Sequence, residues 1–143
     1  MPKKSLLKNK TLIIGCGRLG SSIANQATKE GKNVLCIDRD KHAFERLDDT
    51  FSGYTFVGDV TDLDLLESAF IQSTKEIIIT TGDDTTNIFL AYVARDIYDV
   101  PNIYVRLDDP TLEVLLEGKD AKAILPFQLT FDKYNLIRED KKR

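Results

Sequence analysis

The sequence has little of what several classes of protein depend on. Its 143 residues include two cysteines, one histidine and no tryptophan. Cys16 and Cys36 lack C-x-x-C spacing, so we expect buried thiols and not a redox or zinc pair. Lysine and arginine number 20 against 23 aspartates and glutamates, and the formal charge of -3 provides no long-range attraction for a polyanion. A nucleic-acid partner is therefore not expected.

Long apolar runs are also missing. Uncharged stretches such as Ile77–Thr81 are far shorter than the ~18 residues that span a membrane. The N-terminal segment is positively charged but contains only the adjacent Leu6 and Leu7, much less than the ~7-residue apolar core of a signal peptide. We therefore expect a cytoplasmic protein that is not integral to a membrane.

The composition that remains is typical of one globular domain. Hydrophobic residues make up 42% of the chain and charged residues 30%. The length falls within the ~100–200 residues of an average domain. A chain of this size buries roughly two-thirds of its unfolded surface, so its core needs neither disulfides nor a structural metal.

Apolar segments of strand length alternate with helical patterns up to Pro126. This alternation predicts a doubly wound parallel α/β sheet with helices on both faces, including a helix that carries Phe44 and Leu47 after the second strand. Gly31 and Gly118 stand where helices should stop, and Asp109 before Pro110 is typical of a helix start. The six predicted strands are Thr11–Ile14, Asn33–Ile37, Tyr54–Val57, Glu76–Thr80, Asn102–Leu107 and Ala123–Leu125.

A glycine-rich segment, Gly15-Cys-Gly-Arg-Leu-Gly20, follows the first predicted strand and opens the first predicted helix. There, a G-x-G-x-x-G pattern indicates a Rossmann-like nucleotide site. The glycines permit the tight turn, the approach of a pyrophosphate and close helix packing, and free N–H groups stabilise the anion. The Arg18 side chain suits a phosphate contact and a solvated helix start equally well. We expect ligand contacts from Gly15, Cys16, Gly17, Arg18, Leu19 and Gly20.

Asp38 ends the second predicted strand, about 20 residues beyond the glycine loop, where a carboxylate accepts hydrogen bonds from ribose hydroxyls. It would repel a 2′-phosphate, which favours NAD(H) or an adenine nucleotide (ATP, ADP or AMP) over NADP. The neighbouring Arg39, also a candidate contact, weakens that preference. The alternative role for Asp38 is to cap the next helix, which Asp40 serves equally well.

Two further loops complete the expected site. The segment after the third strand, Gly58-Asp-Val-Thr-Asp, lies beside the adenine in this fold, and its alternative role is helix capping by Thr61 and Asp62. The loop after the fourth strand lies where the strand order reverses, which is the usual ligand position, and capping explains Asp84 there. These loops add Asp59, Val60, Thr80, Thr81 and Gly82 to the candidate site.

No catalytic constellation is present in the sequence. His42 falls at the start of the second predicted helix and is more typical of a surface side chain than of a general base. There is no nucleophile elbow, no cluster of metal ligands and no second domain to hold a substrate. We expect a binding domain and not an enzyme. The alternatives are the cofactor domain of an NAD-dependent oxidoreductase and a methyltransferase-like adenosine binder, whose usual motif is G-x-G-x-G.

Residues from Thr11 to Pro126 resemble the N-terminal domain of Trk/Ktr-type potassium-uptake regulators, known as the TrkA-N or RCK domain (regulator of K+ conductance). Each motif alone is unspecific, and their combination is specific. The motifs are Gly15-Cys-Gly-Arg-Leu-Gly, Cys36-Ile-Asp38, Gly58-Asp-Val-Thr-Asp, Asp83-Asp-x-x-Asn87, Arg106 before Asp109-Pro, and Gly118-x-Asp120 leading to Ile124-Leu-Pro126.

The resemblance implies a cytosolic domain that binds NAD(H), ATP, ADP or AMP. It also implies dimers or larger rings that gate a membrane K+ channel or transporter, so the domain would lie at the inner face of the membrane. Arg106 matches a basic position near the subunit interface and the phosphates. The resemblance assigns ligand contacts to Gly15, Gly17, Arg18, Gly20, Asp38, Asp59 and Thr81.

Regulators of this kind usually carry a smaller C-terminal lobe, which this sequence does not include. Three interpretations fit the difference. The chain is a one-domain relative, a fragment of a longer protein, or one half of a two-chain regulator whose other subunit supplies the lobe.

The last segment departs from the alternation of strands and helices. Phe127, Phe131, Tyr134 and Ile137 recur at helical spacing with no strand after them, which predicts an amphipathic terminal helix. This helix either packs on its own sheet or docks on a partner subunit, giving a homodimer. The chain thus divides into a basic arm (1–10), a nucleotide-binding domain (11–126) and a docking or dimerisation helix (127–143).

Overall fold

The computed structural model describes residues 10–141, so the predicted basic arm, apart from Lys10, and residues 142–143 lie outside it. Six parallel strands form one sheet in the order β3-β2-β1-β4-β5-β6. This is the strand order of a dinucleotide-binding Rossmann sheet, and the predicted fold is confirmed. The strands are β1 Lys10–Ile14, β2 Asn33–Asp38, β3 Tyr54–Val57, β4 Thr74–Ile79, β5 Asn102–Arg106 and β6 Ala121–Ile124.

The strand bounds differ from the predicted ones by at most two residues, and the largest differences are at the starts of β4 and β6. β4 begins at Thr74 and β6 at Ala121, each two residues earlier than predicted. Lys10 is the first residue of β1 and is buried, although its charge suggested a place in the arm. The reason is pairing, because Lys10 is in register with Asn33 of β2 and with Thr74 of β4.

Helices connect the strands. The α-helices are α1 Arg18–Lys29, α2 Leu63–Ser68, α3 Asp84–Tyr92 with a π-helical continuation Val93–Ile97, and α4 Pro126–Lys141; the 3-10 helices are Lys41–Arg46, Ile71–Ser73 and Pro110–Leu116. Gly31 and Gly118 adopt positive φ angles of 82° and 77° just beyond helical segments, as their positions predicted. Asp109 caps the last 3-10 helix by accepting a hydrogen bond from the Thr111 N–H at 3.0 Å.

The segment after β2 is a 3-10 helix and not the predicted α-helix. Side chains three residues apart stack over one another in a 3-10 helix. Phe44 and Leu47 have this spacing, and both pack against the same apolar core. A short 3-10 segment therefore suffices to cover this edge of the sheet.

The sheet is covered on both faces. Alternate residues of β1 point to opposite sides, so Leu12 belongs to one core together with Leu90 of α3. Ile13 packs in the other core with Cys36 and with Ala24 of α1. The helices thus lie on two sides, as the doubly wound prediction requires.

The C-terminal helix α4 does not fold back on its own sheet. Phe127, Phe131, Tyr134 and Ile137 are between 49% and 59% exposed, and Leu129, on the opposite side of the helix, is 63% exposed. Packing on the sheet would have buried one of these sides, so that alternative is wrong. The helix is also apolar on two sides instead of one.

Within residues 10–141, no helix is long and apolar enough to cross a membrane.

Helix α1 begins directly against the turn that follows β1. A Cβ atom at Gly20 would lie 1.9 Å from the Gly15 carbonyl oxygen and 2.8 Å from the Thr80 hydroxyl. A Cβ atom at Gly17 would meet nothing within 4 Å. Packing therefore requires glycine at Gly20, whereas the space beside Gly17 is open.

We expect Gly20→Ala to lower the free energy of unfolding by ~3 kcal/mol, the upper end of a typical overpacking cost, because the atom it meets is rigid backbone. Gly17→Ala is the matched control and should cost no more than about 1 kcal/mol, the difference in helix-capping preference. Chemical denaturation followed by circular dichroism measures both values. Equal stability of the two variants would contradict the close approach of α1 to the sheet.

Candidate functional site

A cleft of about 710 Å³ lies beyond the carboxyl ends of the strands, where the order reverses between β1 and β4. This is the usual ligand position in an open α/β sheet, and the volume is within the ~300–1,000 Å³ of small-molecule pockets. The cleft is lined by Gly15, Gly17, Asp38, Arg39, Asp59, Val60, Thr61, Thr80, Thr81, Gly82, Asp83, Thr86 and Arg106.

The glycine loop has the backbone geometry that a phosphate group needs. Gly15 has a φ of 94°, and its N–H donates to the Ile37 carbonyl at 2.8 Å, which joins the loop to β2. Gly17 precedes α1 and provides no side-chain cap, so the first N–H groups of the helix have no capping acceptor. Open space beside Gly17 and uncapped N–H groups at a helix start suit an anion.

Asp38 holds the glycine loop from the end of β2. Its Oδ2 accepts a hydrogen bond from the Cys16 N–H at 2.8 Å, and its Oδ1 accepts one from the Asp40 N–H at 2.9 Å. Asp40 is the residue that caps the following helix, through the His42 N–H at 2.9 Å. The capping alternative for Asp38 is therefore wrong. A carboxylate has about four acceptor sites, so capacity remains for ribose hydroxyls.

Cys16 of the glycine loop and Cys36 of β2 are neighbours in the interior. Both are fully buried free thiols, as predicted, and they share a hydrogen bond. That bond and the burial raise the pKa of Cys36, which keeps its thiol neutral at physiological pH. The glycine loop keeps Cys16 beside β2, because the Cys16 N–H donates to the carboxylate of Asp38, two residues beyond Cys36.

Asp59 stands on the loop after β3. Its Oδ1 accepts from the Thr61 N–H at 2.9 Å and from the Thr61 hydroxyl at 2.7 Å. The Thr61 hydroxyl and backbone N–H together lower the pKa of Asp59, so the carboxylate is ionised at neutral pH. Helix capping falls to Asp62, which accepts from the Asp64 N–H at 2.9 Å. The exposed second oxygen of Asp59 is thus available to a ligand.

The loop after β4 divides its polar groups between interior and cleft. The Thr80 hydroxyl donates inward, to the Gly15 carbonyl at 2.9 Å, and supports the glycine loop. Asp83 caps α3 through the Thr86 N–H at 3.1 Å and the Thr86 hydroxyl at 2.5 Å, which lower its pKa. Asp84 was expected to cap this helix. Its carboxylate instead accepts from the N–H groups of Asp108 and Asp109, at 2.8 and 2.9 Å.

Asn87 is a residue of the site whose structural role the sequence did not predict. It is fully buried, its side-chain amide donates to the Thr81 carbonyl at 3.1 Å and the Arg106 carbonyl at 2.8 Å, and its oxygen accepts from the Thr81 N–H at 3.2 Å. The Thr81 hydroxyl also donates to it. Asn87 therefore joins the loops after β4 and β5. Its place in the Asp83-Asp-x-x-Asn87 motif was the available signal.

Ten of the predicted site residues line the cleft: Gly15, Gly17, Asp38, Arg39, Asp59, Val60, Thr80, Thr81, Gly82 and Arg106. Four do not. Cys16 and Gly20 are buried in the interior, Leu19 is half-buried, and Arg18 is exposed at the start of α1, outside the cleft lining. Thr61, Asp83 and Thr86 line the cleft without having been predicted.

The charges around the cleft are mixed. Asp38, Asp59 and Asp83 line it together with Arg39 and Arg106. The Arg106 guanidinium is held by Asp108, with Nε and Nη2 each 3.1 Å from one carboxylate oxygen. In the part of the chain that the structure describes, no group of three or more potential metal ligands occurs.

We expect Asn87→Ala to lower the free energy of unfolding by about 1–3 kcal/mol, because it leaves the Thr81 N–H and the Arg106 carbonyl without a buried partner. Thr85→Ala, an exposed change on the same helix, is the matched control and should stay within about 0.5 kcal/mol of the unchanged protein. Thermal unfolding and amide hydrogen exchange report both. Equal stability of the two variants would show that Asn87 does not hold the loops.

Comparison with known proteins identifies the family. Residues 11–126 match the family described as the TrkA-N domain. The Trk system potassium uptake protein TrkA of Streptomyces coelicolor is 37% identical over 99 residues, covering 69% of this chain and 44% of that protein. Potassium channel protein 1 of Methanocaldococcus jannaschii is 31% identical over 131 residues, covering 89% of this chain and 39% of that protein.

Solved structures agree with the sequence relatives. The GsuK channel bound to NAD superposes with a TM-score of 0.80 at 25% identity, covering 94% of this chain and 24% of that one. The chain spans less than half the length of these three proteins. The family matches most of the sequence, which confirms the resemblance that the motifs indicated. This chain belongs to the TrkA-N domain family.

Proposed function

We propose that this chain is the nucleotide-binding regulatory domain of a potassium-uptake system. The observation that carries the proposal is the open backbone at Gly17 next to the Asp38 carboxylate, within one cleft at the strand-order switch. The potassium-transport names of the relatives and the NAD bound to GsuK support it. In this proposal the domain works in the cytoplasm, peripheral to the inner face of the membrane, on a K+ channel or transporter subunit.

The ligand in this proposal is NAD(H) or an adenine nucleotide, bound along the cleft. Its phosphates lie over Gly17 and the start of α1, where N–H groups and the helix dipole stabilise negative charge. Its ribose hydroxyls donate to Asp38, and its adenine amino group donates to Asp59. Arg39 and Arg106, both at the cleft wall, supply positive charge against the phosphates.

The proposed role of the cleft is to bind a nucleotide and not to catalyse a reaction. The polar side chains of the cleft are occupied in holding its loops, as Asp83 is by Thr86 and Thr81 is by Asn87. A ligand that contacts four loops at once favours the arrangement in which those loops fit it best. The regulatory effect is bounded by the difference in ligand affinity between two arrangements, typically ~1–3 kcal/mol.

We expect Gly17→Asp to abolish measurable nucleotide binding while the fold persists, because the carboxylate enters the open space and repels the phosphates. Gly17→Ala is the control, since it adds bulk without charge. Isothermal titration calorimetry with NAD, NADH, ATP, ADP and AMP compares them, and circular dichroism checks the fold. Unchanged affinity in Gly17→Asp would refute the site, and tighter binding of NADP than of NAD would refute the ribose role of Asp38.

The proposal includes assembly through α4. The exposed apolar side chains of Phe127, Phe131, Tyr134 and Ile137 project from a helix that leaves its own domain. Burying such a side chain is worth ~1.5–3 kcal/mol, so three or four can hold a homodimer, or a larger ring, after the cost of association. The C-terminal lobe of the longer relatives would come from a further segment or from a separate chain.

We expect the chain ending at Pro126 to be a folded monomer that still binds nucleotide, because the truncation removes only the docking helix. The substitution Phe131→Asp tests the same contact in a chain of full length. Multi-angle light scattering measures the mass of each protein. A full-length monomer at high concentration, or a dimer of the truncated chain, would show that α4 does not mediate association.

A further inference from the structure

Lys10 presents a buried amine with no hydrogen-bond partner. Its side chain is 3% exposed, and its Nζ has no hydrogen-bond partner in the described part of the chain. The nearest favourable contact is the ring of Phe70, whose centroid is 4.8 Å from Nζ. Burial lowers the pKa of Lys10 from 10.5 to about 7. A group of this kind is costly to bury unless something else compensates for it.

The amine borders a small cavity at the amino end of the sheet, opposite the nucleotide cleft. Lys10 pairs with Asn33, and Leu35 pairs with Tyr54, so these four side chains share one face of the sheet. With Phe70 they line a cavity of about 50 Å³. One water needs only ~10–15 Å³, so the cavity has room for a ligand of a few heavy atoms.

In its ammonium form, Lys10 places at this cavity a positive charge that no hydrogen-bonded carboxylate of residues 10–141 neutralises. Lys32 also contributes to the lining, but its ammonium is paired, lying 3.1 Å from Glu76 Oε1, which also accepts from the Thr11 hydroxyl at 2.9 Å. Lys10 Nζ has no such carboxylate partner in the part of the chain that the structure describes. A ligand with a single negative charge therefore completes the site, whereas a dianion leaves one charge unmatched in a half-apolar cavity.

The apolar side chains around the cavity favour a ligand that has an apolar part. The rings of Phe70 and Tyr54 and the side chain of Leu35 line the cavity beside the amine. Phe70 holds a left-handed backbone conformation, with a φ of 63°, and its carbonyl accepts from the Thr74 hydroxyl at 3.0 Å. The Phe70 ring thus lies over Lys10 on a backbone in a sparsely populated conformation.

We propose that this cavity is a binding site for a small monocarboxylate, of acetate size, whose carboxylate pairs with the Lys10 ammonium and whose apolar part lies against Phe70 and Tyr54. The site is separate from the nucleotide cleft, because it lies at the other end of the same strands. The proposal does not rest on the proposed nucleotide function.

The pH dependence follows from the charge of Lys10. A carboxylate binds the ammonium form, so affinity is greatest below pH 7 and binding raises the pKa of Lys10. With a pKa of about 7, affinity at pH 9 should be about a hundredfold weaker than at pH 6. Among the described residues, the other titratable groups that line the cavity are Lys32, which directly precedes β2, and Tyr54 of β3. Lys32 keeps its charge through this range, because Glu76 raises its pKa.

The test is NMR of the intact protein labelled with [6-13C]lysine, titrated with sodium acetate against sodium chloride at equal ionic strength. Lys10→Met assigns the signal, and Lys32→Met is the matched control because it removes the ion-paired lysine of the same cavity. We expect saturable acetate binding at pH 6 that raises the pKa of Lys10, disappears in Lys10→Met and persists in Lys32→Met. Affinity for NAD should be unchanged in Lys10→Met.

Four outcomes would overturn the proposal. They are an unperturbed Lys10 pKa near 10.5, no saturation with acetate at pH 6, equal acetate binding in Lys10→Met, and tighter binding of inorganic phosphate than of acetate. If Lys10→Met fails to fold, Lys10→Arg replaces it. Its larger, permanently charged guanidinium should abolish the pH dependence between 6 and 9, and persistence of that dependence would equally overturn the assignment.

Discussion

The close packing of the glycine loop between β2 and β4 is the constraint on which the site depends. From the β2 side, the Ile37 carbonyl accepts from the Gly15 N–H and the Asp38 carboxylate accepts from the Cys16 N–H. From the β4 side, the Thr80 hydroxyl donates to the Gly15 carbonyl. Only a residue without a side chain fits where α1 crosses this turn. The start of α1, with its uncapped N–H groups, is thereby held at the edge of the cleft.

The same arrangement gives Asp38 two roles. Its carboxylate already accepts two backbone hydrogen bonds, so it is oriented before any ligand arrives. An oriented acceptor costs less to engage than a mobile one, because the side chain has lost its rotamer freedom on folding. Asp38, which would recognise the ribose, therefore also fixes the glycine loop. Removing its carboxylate would therefore affect the binding of both the ribose and the phosphates of a nucleotide.

Local sequence patterns predicted most of the fold, since buried parallel strands are near-continuous apolar runs and glycine marks the turns. They also predicted that Gly17 and Asp38 belong to the cleft, because a glycine loop after the first strand and an acidic residue about 20 positions further on are the usual pair in this fold. They failed where tertiary pairing decides. Lys10 is charged, yet strands on both sides bury it. Thr80 is polar and adjoins the cleft, yet its hydroxyl donates to carbonyl groups in the interior. That direction depends on how the loops after β1 and β4 pack together, which the sequence does not show.

The neighbouring thiols of Cys16 and Cys36 and the bridging amide of Asn87 escaped prediction for a related reason. The contact between the two thiols and the contact of Asn87 with Arg106 join residues that are about 20 positions apart in the sequence, and the motif that contains Asn87 does not name its partners. Composition shows that two cysteines and one suitable asparagine exist. Strand register and loop closure decide that they meet, and both properties belong to the folded sheet.

A continuous set of contacts leads from the cleft to the root of α4. Thr81 lines the cleft and is bonded to Asn87, whose amide donates to the Arg106 carbonyl. Arg106 is in register with Ile124, and the Leu107 N–H donates to the Ile124 carbonyl at 2.9 Å, two residues before α4 begins. A ligand that moves the loop after β4 thus acts on the segment from which the docking helix projects. Connectivity alone does not transmit a signal, because coupling also requires two arrangements that bind the ligand with different affinity. Under the proposed function, those arrangements would be two positions of α4, whose apolar side chains are exposed and do not pack on the core of its own domain.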